Sequence, residues 1–327
     1  MNEERDSGIP RSRHFLSIVI PLFREGSHFR DSFNRIDSCA RETGITFEFI
    51  LVDDGSDDDT WQVISEICRE EPNVRGLRFS RNFGKEAAIH AGLEHARGNA
   101  VIVMDGDLQH SPEMIPGMVY AWIEEGFQVV NVVRSGRGGR SFGYRIAAWM
   151  HGLILKMLSG FDLQGASDFK LLDRAVVEAF LEMKEKRIFY RGLIAWLGFR
   201  QKNLEMPELE GMKPGSSWSS RGLIRLALNS LTSFSTLALH LVTVLGLVLL
   251  LFSLGLAVHT LLFWLRGTAV PGFTTVILLQ LLFSSIIMIA LGIIGEYLAT
   301  IFHEIKDRPR YILMQEFSEV DSSQDGE

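Results

Sequence analysis

Two aspartates separated by one glycine, Asp105 and Asp107, directly follow an apolar run at residues 100–104. Pairs of this kind are common in turns, where they solvate the chain or cap a helix. At the end of a buried strand, however, two neighbouring negative charges are costly unless a cation neutralises them. A hard divalent ion, Mg²⁺ or Mn²⁺, takes oxygen ligands, bridges to diphosphate oxygens and acts as a Lewis acid. The pair therefore predicts a metal-dependent diphosphate site.

A second acidic pair, Asp53 and Asp54, ends the apolar run at residues 47–52. The acidic stretch continues beyond this pair and supplies a helix N-cap. That structural interpretation covers residues 57–60 and leaves the preceding pair unexplained. A carboxylate at a strand end can accept the imide N–H of uracil or a ribose hydroxyl. We therefore predict that Asp53 and Asp54 bind a ligand.

Basic residues occur in two loops that follow predicted strands. Arg81 and Lys85 come after the run at residues 74–79. Such residues are usually surface charges, but beside a diphosphate they would offset its charge. Arg134 and Arg137 begin a glycine-rich basic segment after another predicted strand. This segment is either a solvated loop or a mobile flap whose arginines meet a diphosphate or lipid phosphate, and the sequence leaves both interpretations open.

These loops are positioned by an alternation of strands and helices. β-Branched and apolar runs predict buried parallel strands, and apolar residues at helical spacing predict the helices between them. We expect an α/β domain at residues 15–213, with a mostly parallel sheet covered by helices on both faces. The predicted strands cover residues 17–20, 47–52, 74–79, 100–104 and 129–133, and the helices cover residues 27–43, 60–69 and 85–96.

The ends of the predicted parallel strands should bring three loops together. Ligands bind such sheets at the carboxyl ends of the strands, which share one edge. The loops follow the first, second and fourth predicted strands, and the first of them contributes Pro21, Phe23 and Glu25. We therefore expect these three residues to contact the same ligand as the two acidic pairs.

The second part of the chain has the composition of a membrane protein. Residues 226–265 and 267–295 carry no Asp, Glu, Lys or Arg, and each run exceeds the roughly 20 residues that a helix needs to cross a bilayer. We predict transmembrane helices at residues 237–265 and 274–301, preceded by an amphipathic interfacial segment at 214–236. Basic residues flank the outer ends of this pair, which places the large domain and both termini in the cytosol.

Both ends of the chain are polar. Residues 1–14 lack the apolar core of a signal peptide, and residues 302–327 form a tail that becomes acidic and resembles a solvated end. The net charge of −7 argues against nucleic acid as a partner, because a nucleic-acid binder needs a basic face. The two cysteines, Cys39 and Cys68, indicate neither a disulfide framework nor a metal site.

Several motifs spread over nearly the whole chain form a recognisable set. They are residues 21–25 (Pro-Leu-Phe-Arg-Glu), 52–56 (Val-Asp-Asp-Gly-Ser), 81–86 (Arg-Asn-Phe-Gly-Lys-Glu), 105–109 (Asp-Gly-Asp-Leu-Gln), 167–171 (Ser-Asp-Phe-Lys-Leu), 232–235 (Thr-Ser-Phe-Ser), 295–297 (Gly-Glu-Tyr) and 306–311 (Lys-Asp-Arg-Pro-Arg-Tyr). Together they resemble the motifs of family 2 glycosyltransferases, and within that family the polyprenyl-phosphate sugar transferases.

The resemblance implies a GT-A fold, a metal held by Asp105, Asp107 and Gln109, and inversion at the anomeric carbon. It implies a nucleotide diphosphate-sugar donor such as UDP-glucose, and undecaprenyl or dolichyl phosphate as the acceptor. Asp107 and Asp168 would be the catalytic residues. Asp168 would lie near the acceptor phosphate and act as a base, or alternatively position the acceptor through arginines. A homo-oligomer in a bacterial inner membrane is also implied.

The chain departs from the family pattern at three places, one of which is His110, at a position that is often acidic. Residues 215–218 read Gly-Ser-Ser-Trp where a lysine is usual, and Arg24 stands where the family usually has Asn. Two other functions fit part of the pattern. A processive polysaccharide synthase would share the first motifs, but its Gln-x-x-Arg-Trp motif does not occur in this sequence. An inactive nucleotide-sugar-binding membrane scaffold would tolerate loss of the carboxylates, yet Asp105, Asp107 and Asp168 are all present.

Overall fold

The computed structural model describes most of the α/β domain and part of the apolar region. It covers residues 14–108, 110–134, 167–183, 185, 189–206, 272–306 and 308–317, together with isolated helical residues between 244 and 265. The chain divides into two compact units, the first with residues 1–148, 161–212 and 308–327, and the second with residues 149–160 and 213–307. Every predicted site residue belongs to the first unit.

The described part of the first unit contains one sheet and the helices around it. The strands are β1 (Phe15–Leu22), β2 (Thr46–Asp53), β3 (Val74–Phe79), β4 (Ala100–Val103), β5 (Val129–Arg134), β6 (Lys170–Asp173), β7 (Gln201–Met206) and β8 (Leu313–Phe317). The helices are α1 (Phe29–Arg41), α2 (Thr60–Glu70), α3 (Lys85–His95), α4 (Ile115–Ile123), α5 (Arg174–Leu181) and α6 (Tyr190–Trp196), with short 3₁₀ turns at Gly26–His28 and Pro112–Met114.

The centre of the sheet is parallel. The strand order is β7-β5-β6-β4-β1-β2-β3-β8. β1 pairs in parallel with β2 and β4, and β2 pairs in parallel with β3, as the alternation of strands and helices predicts. β5 and β7 are also parallel to each other. β6 is antiparallel to β4 and β5, and β8 is antiparallel to β3.

Helices cover both faces of this sheet. On one face, Ile18 and Ile20 of β1 lie in a buried cluster with Phe33 of α1. On the other face, α3 lies close to β1 because Gly92 leaves room for Val19, and a Cβ at position 92 would lie 2.1 Å from Val19 Cγ1. The period of two in a strand sends alternate residues of β1 into these separate layers.

The predicted elements of the first unit agree with the observed ones to within two residues at each boundary. The end of the domain differs. The sequence interpretation bounds it at residue 213 and treats residues 302–327 as an acidic tail, whereas Leu313–Phe317 forms the edge strand β8. The sequence did not predict this strand because its acidic residue, Glu316, is exposed and follows the charge pattern of a solvated chain end.

The second unit contains a long apolar helix, α7 (Phe273–Ile305). Its stretch Leu282–Ala299 is the one helical stretch among the described residues that is long and apolar enough to cross a membrane. It corresponds to the second predicted span. The first predicted span, residues 237–265, lies largely outside the described residues, although those described between 244 and 265 are helical. The interfacial segment at 214–236 and residues 1–13 lie wholly outside them.

Candidate active site

The loops after β1, β2 and β4 leave the sheet side by side. β1 lies between β2 and β4, and backbone bonds extend this contact beyond the paired strands. Asp54 N donates to Leu22 O at 2.9 Å, and Met104 N donates to Val19 O at 3.1 Å. The strand order changes direction between β1 and β4, which is where sheets of this kind form ligand crevices.

Asp54 ties the loop after β2 to the loop after β3. Its Oδ1 accepts a hydrogen bond from Phe83 N at 2.6 Å, and its Oδ2 accepts one from Gly84 N at 2.9 Å. Burial raises the pKa of this carboxyl, and the two N–H groups partly offset that effect. Asp53 is fully buried; its Oδ1 accepts a hydrogen bond from Ser56 N at 2.9 Å in the loop after β2, and its Oδ2 lies 3.4 Å from Arg78 Nε. Both predicted ligand-binding carboxylates therefore also hold the protein's own loops.

Gly55 allows these two loops to touch. Its φ is +66°, in the left-handed region that favours glycine. A Cβ at this position would lie 2.3 Å from the backbone carbonyl carbon of Arg81. The loops after β2 and β3 approach this closely only because position 55 has no side chain.

The loop after β1 is shaped by Arg24. Its φ of +58° is uncommon for a residue with a side chain. Its backbone N–H donates to Ser56 Oγ at 3.0 Å, and its guanidinium forms two 2.7 Å hydrogen bonds with Asp57. The guanidinium carbon lies 5.2 Å from the centre of the Phe23 ring, which is 40% exposed. Asp57, which the sequence interpretation assigns to a helix cap, is thus a partner of this loop.

Three carboxylates, Glu25, Asp105 and Asp107, concentrate negative charge in the crevice. Burial and then the charges of Asp107 and Asp105 raise the pKa of Glu25. Carboxylate oxygens of this kind suit Mg²⁺ or Mn²⁺. Within the described part of the chain, no three acidic, histidine or cysteine side chains are arranged as a metal site. Gln109, the third ligand that the resemblance implies, lies outside the described residues.

Asp168 lies at the centre of a charged cluster. Its buried carboxylate accepts from Arg191 Nε at 2.6 Å through Oδ1, and from Arg191 Nη2 at 2.8 Å through Oδ2. Lys85 Nζ donates to the same Oδ2 at 2.7 Å and lies 2.5 Å from Asp105 Oδ1. Lys85 therefore links Asp168 to the Asp-x-Asp loop after β4.

The two cations determine the protonation state of Asp168. Burial alone would raise its pKa, but Arg191 and Lys85 more than offset this and hold the pKa of the carboxyl well below its ordinary range. For Lys85 the signs are opposite. Burial alone would lower its pKa, but the carboxylates of Asp105 and Asp168 outweigh burial and raise the pKa. Asp168 and Lys85 are therefore both charged at neutral pH.

Glu86 holds the helix that carries Arg191. Its Oε2 accepts a hydrogen bond from the backbone N–H of Tyr190, the first residue of α6, at 3.0 Å. Burial raises the pKa of Glu86 to about 7, and the charge of Asp168 adds to the effect. Two consecutive residues at the start of α3 thus serve the cluster, since Lys85 binds Asp168 directly and Glu86 holds α6.

Arg191 was missed by the sequence interpretation. It belongs to none of the motifs and follows no predicted strand. Its sequence signal is weak and consists of an arginine placed directly after Phe189 and Tyr190. Because Tyr190 is fully buried, it anchors the helix at the point where Arg191 turns towards Asp168.

The other predicted residues have varied positions. Pro21 lies within β1 and is paired with Val52. Arg81 is exposed, with its guanidinium carbon 4.3 Å from the centre of the Phe83 ring. Arg134 is the last residue of β5, but its side chain lies outside the described residues, as does the whole of Arg137.

Sequence comparison with known proteins identifies the family of this chain. The sequence profile described as glycosyl transferase family 2 matches residues 17–182. An uncharacterized glycosyltransferase of Bacillus subtilis is 34% identical over 311 residues, which cover 94% of this chain and 95% of the relative. The chain belongs to glycosyl transferase family 2. The prophage bactoprenol glucosyl transferase homolog of Escherichia coli is 33% identical to this glycosyltransferase over 304 residues, covering 91% and 98% of the two chains.

One solved structure is similar to part of this glycosyltransferase. It is a mannosyltransferase from Pyrobaculum calidifontis in complex with GDP-Man and Mn²⁺, with 17% identity, a TM-score of 0.45, and coverage of 69% of this chain and 61% of that chain. The family assignment depends on the sequence matches. It identifies the α/β sheet as GT-A-like and the chain as a glycosyltransferase, as the resemblance of its motifs implies.

Proposed function

We propose that this glycosyltransferase moves a hexose, glucose or a similar sugar, from a nucleotide diphosphate donor to a polyprenyl phosphate, with inversion at the anomeric carbon. The name of the E. coli relative, a bactoprenol glucosyl transferase homolog, supports a polyprenyl acceptor. The observation that carries the proposal is the link from Asp105 through Lys85 to Asp168. This link places a carboxylate pair suited to a metal and diphosphate beside cations suited to a second phosphate.

On the donor side, Asp105, Asp107 and Gln109 would hold Mg²⁺ or Mn²⁺. A bound metal would neutralise the negative charge of the departing nucleoside diphosphate. Burial is the main cause of the raised pKa of Glu25, and the charges of Asp107 and Asp105 add to it; this second contribution supports the assignment. Arg81 lies in the loop that Asp54 holds, and we propose that its charge offsets that of the diphosphate.

On the acceptor side, Asp168 holds Lys85 and Arg191, two cations suited to the phosphate of a polyprenyl phosphate. A phosphomonoester has a second pKa of about 6 and is mostly a dianion at neutral pH, so it needs little help from a base. A carboxyl whose pKa is held well below its ordinary range is a poor proton acceptor. We therefore favour the positioning role of Asp168 over the base role.

The apolar helix α7 and a lipid acceptor together support a membrane location. The proposal keeps two spans, at residues 237–265 and 274–301, with the catalytic unit and both termini in the cytosol. The segment at 214–236 would lie at the lipid headgroups and keep the crevice near its acceptor.

The proposal is tested with the purified full-length protein in detergent. Release of nucleoside diphosphate is measured for a panel of nucleotide-sugars with Mg²⁺ or Mn²⁺, each with and without undecaprenyl phosphate. We expect release from one donor class, and only when the lipid phosphate is present. No release from any donor, or equal release without the lipid, would contradict the proposed reaction.

A further inference from the structure

Two residues that follow the apolar helix in sequence, Arg310 and Tyr311, make contacts within the first unit that the proposed chemistry does not use. They directly precede β8. Ser80 N donates to Ile312 O at 3.0 Å, which extends the pairing of β3 and β8 to the start of the loop carrying Arg81. The side chains of Arg310 and Tyr311 both reach residues of α3.

Arg310 joins two segments that are distant in sequence. Its Nη2 donates to the carbonyl oxygens of Met183 at 2.6 Å and Glu185 at 2.8 Å, in the connection between α5 and α6. Its Nη1 donates to Nε2 of His90 in α3. Burial, and secondarily the charge of Arg310, lower the pKa of His90 to about 4, so the neutral ring can accept this bond. The planar guanidinium thus serves three acceptors at once.

The segments that Arg310 joins are the ones that hold Asp168. α3 begins with Lys85, and the connection between α5 and α6 leads to Arg191. The hydrogen bond from Tyr190 to Glu86 joins the same segments beside the site. Arg310 joins them a second time at His90, roughly one turn further along α3.

We propose that Arg310 is a positioning residue, which fixes α3 against the connection to α6 and thereby sets how Lys85 and Arg191 meet at Asp168. Only its kinetic readout rests on the proposed function. A positioning residue of this kind should affect the acceptor side of the site, where both cations meet Asp168, more strongly than the donor side, where only Lys85 makes a contact, at Asp105.

Tyr311 provides a matched comparison. Its ring stacks on Phe79 with centres 4.9 Å apart, and its hydroxyl donates to Glu94 Oε2 at 2.6 Å. Phe79 in turn packs against Phe83, at 5.7 Å between ring centres, and Phe83 N donates to Asp54. Tyr311 is therefore connected to the donor loops, although it is the immediate neighbour of Arg310.

The kinetic test compares Arg310→Ala, Arg310→Lys, Tyr311→Ala and the exposed control Arg308→Ala in the full-length protein. In Arg310→Ala, we expect the acceptor KM to rise about tenfold or more, because small misplacements of binding groups have effects of this size, and the donor KM to stay within about twofold. Arg310→Lys should raise the acceptor KM by a smaller factor. Tyr311→Ala should raise the donor KM instead. Arg308→Ala should match the wild type. A merely destabilised protein would lose kcat with both KM values unchanged.

Hydrogen–deuterium exchange provides a readout that does not require transfer. Both Arg310 variants should speed exchange of the amides at residues 189–196 by about tenfold or more relative to β1 and β2, since that segment would open locally. If the wild type shows no transfer, the proposed function fails while the exchange result still tests Arg310. If Arg310→Ala does not fold, Arg310→Lys decides alone. Exchange in the Arg310 variants that matches the wild type would overturn the inference. If the wild type is active, faster exchange in the variants with an unchanged acceptor KM would also overturn it.

Discussion

At the scale of single residues, the account depends on Asp168 holding two cations. Replacing it with Asn removes the charge and keeps the shape, so Lys85 and Arg191 lose their shared partner. We expect the acceptor KM to rise by about tenfold or more and kcat not to recover as the pH rises. Steady-state kinetics from about pH 6 to 9 provide the measurement. Recovery of kcat at high pH, where the acceptor is fully deprotonated, would instead support the base role.

Glu86 should make the stability of the protein depend on pH. Its folded pKa of about 7 lies above its ordinary value of 4.5, so the folded state binds the proton more tightly than the unfolded state. The stabilisation is full below pH 4.5 and is lost as the pH rises through 7, with a total on the order of 1–3 kcal/mol. Urea unfolding should show this decrease. In Glu86→Gln, whose amide oxygen still accepts from Tyr190, the decrease should disappear; the same pH dependence in both proteins would exclude Glu86 as its cause.

Asp107 tests the metal assignment. It is exposed, so Asp107→Asn changes charge without disturbing the core and should leave the circular dichroism spectrum unchanged. We expect most activity to be lost, because one of the oxygen ligands no longer carries a charge. Activity is measured over a range of Mg²⁺ and Mn²⁺ concentrations, with a chelator as the zero point. Full turnover of the variant in the presence of the chelator would show that the assignment is wrong.

At the scale of elements, the approach of the loops after β2 and β3 depends on Gly55. Gly55→Ala would place a methyl group 2.3 Å from the backbone of Arg81, at a φ of +66°. We expect a higher donor KM and a loss of about 1–3 kcal/mol in the free energy of unfolding. Gly44 is a matched control, since its φ is +68° with nothing within 4 Å of a Cβ. Gly44→Ala should cost about 1 kcal/mol and leave the donor KM unchanged; equal donor KM values in the two variants would contradict the role of Gly55.

The strand-end loops could be predicted because their signal is local. The runs that became β1, β2 and β4 are apolar over consecutive residues, and each is followed directly by its loop, so parallel pairing alone brings Asp54 and Asp105 to one edge. Arg191 could not be predicted in this way. It reaches Asp168 because α6 begins beside α3, where Glu86 accepts a long-range hydrogen bond from Tyr190 N.

Two other features, the strand β8 and the contact between Asp57 and Arg24, could not be predicted from the sequence, for different physical reasons. β8 is an edge strand whose one acidic residue, Glu316, is exposed and resembles part of a solvated tail, and its partner β3 is far away in sequence. Asp57 follows the pattern of a helix cap, but the unusual backbone of Arg24 turns the guanidinium towards it. In both cases the deciding contact joins residues that no local pattern connects.

At the scale of the whole molecule, the proposed function includes two membrane spans, at residues 237–265 and 274–301. Single cysteines at Thr268 and Asp321 test this topology, because Cys39 and Cys68 are buried. In sealed vesicles, an impermeant thiol reagent should label the two positions from opposite sides of the membrane. Labelling of both from the same side would contradict two spans.

The central claim is that one crevice joins a donor diphosphate site to an acceptor phosphate site. The most direct test is mass spectrometry of the lipid fraction after the wild-type protein has been incubated with undecaprenyl phosphate, a divalent ion and the donor that the panel identifies. The account predicts a lipid phosphate carrying a single hexose, formed in equal amount to the released nucleoside diphosphate and strongly reduced in Asp107→Asn. A lipid carrying a chain of several sugars, or nucleoside diphosphate released without a glycosylated lipid, would contradict it.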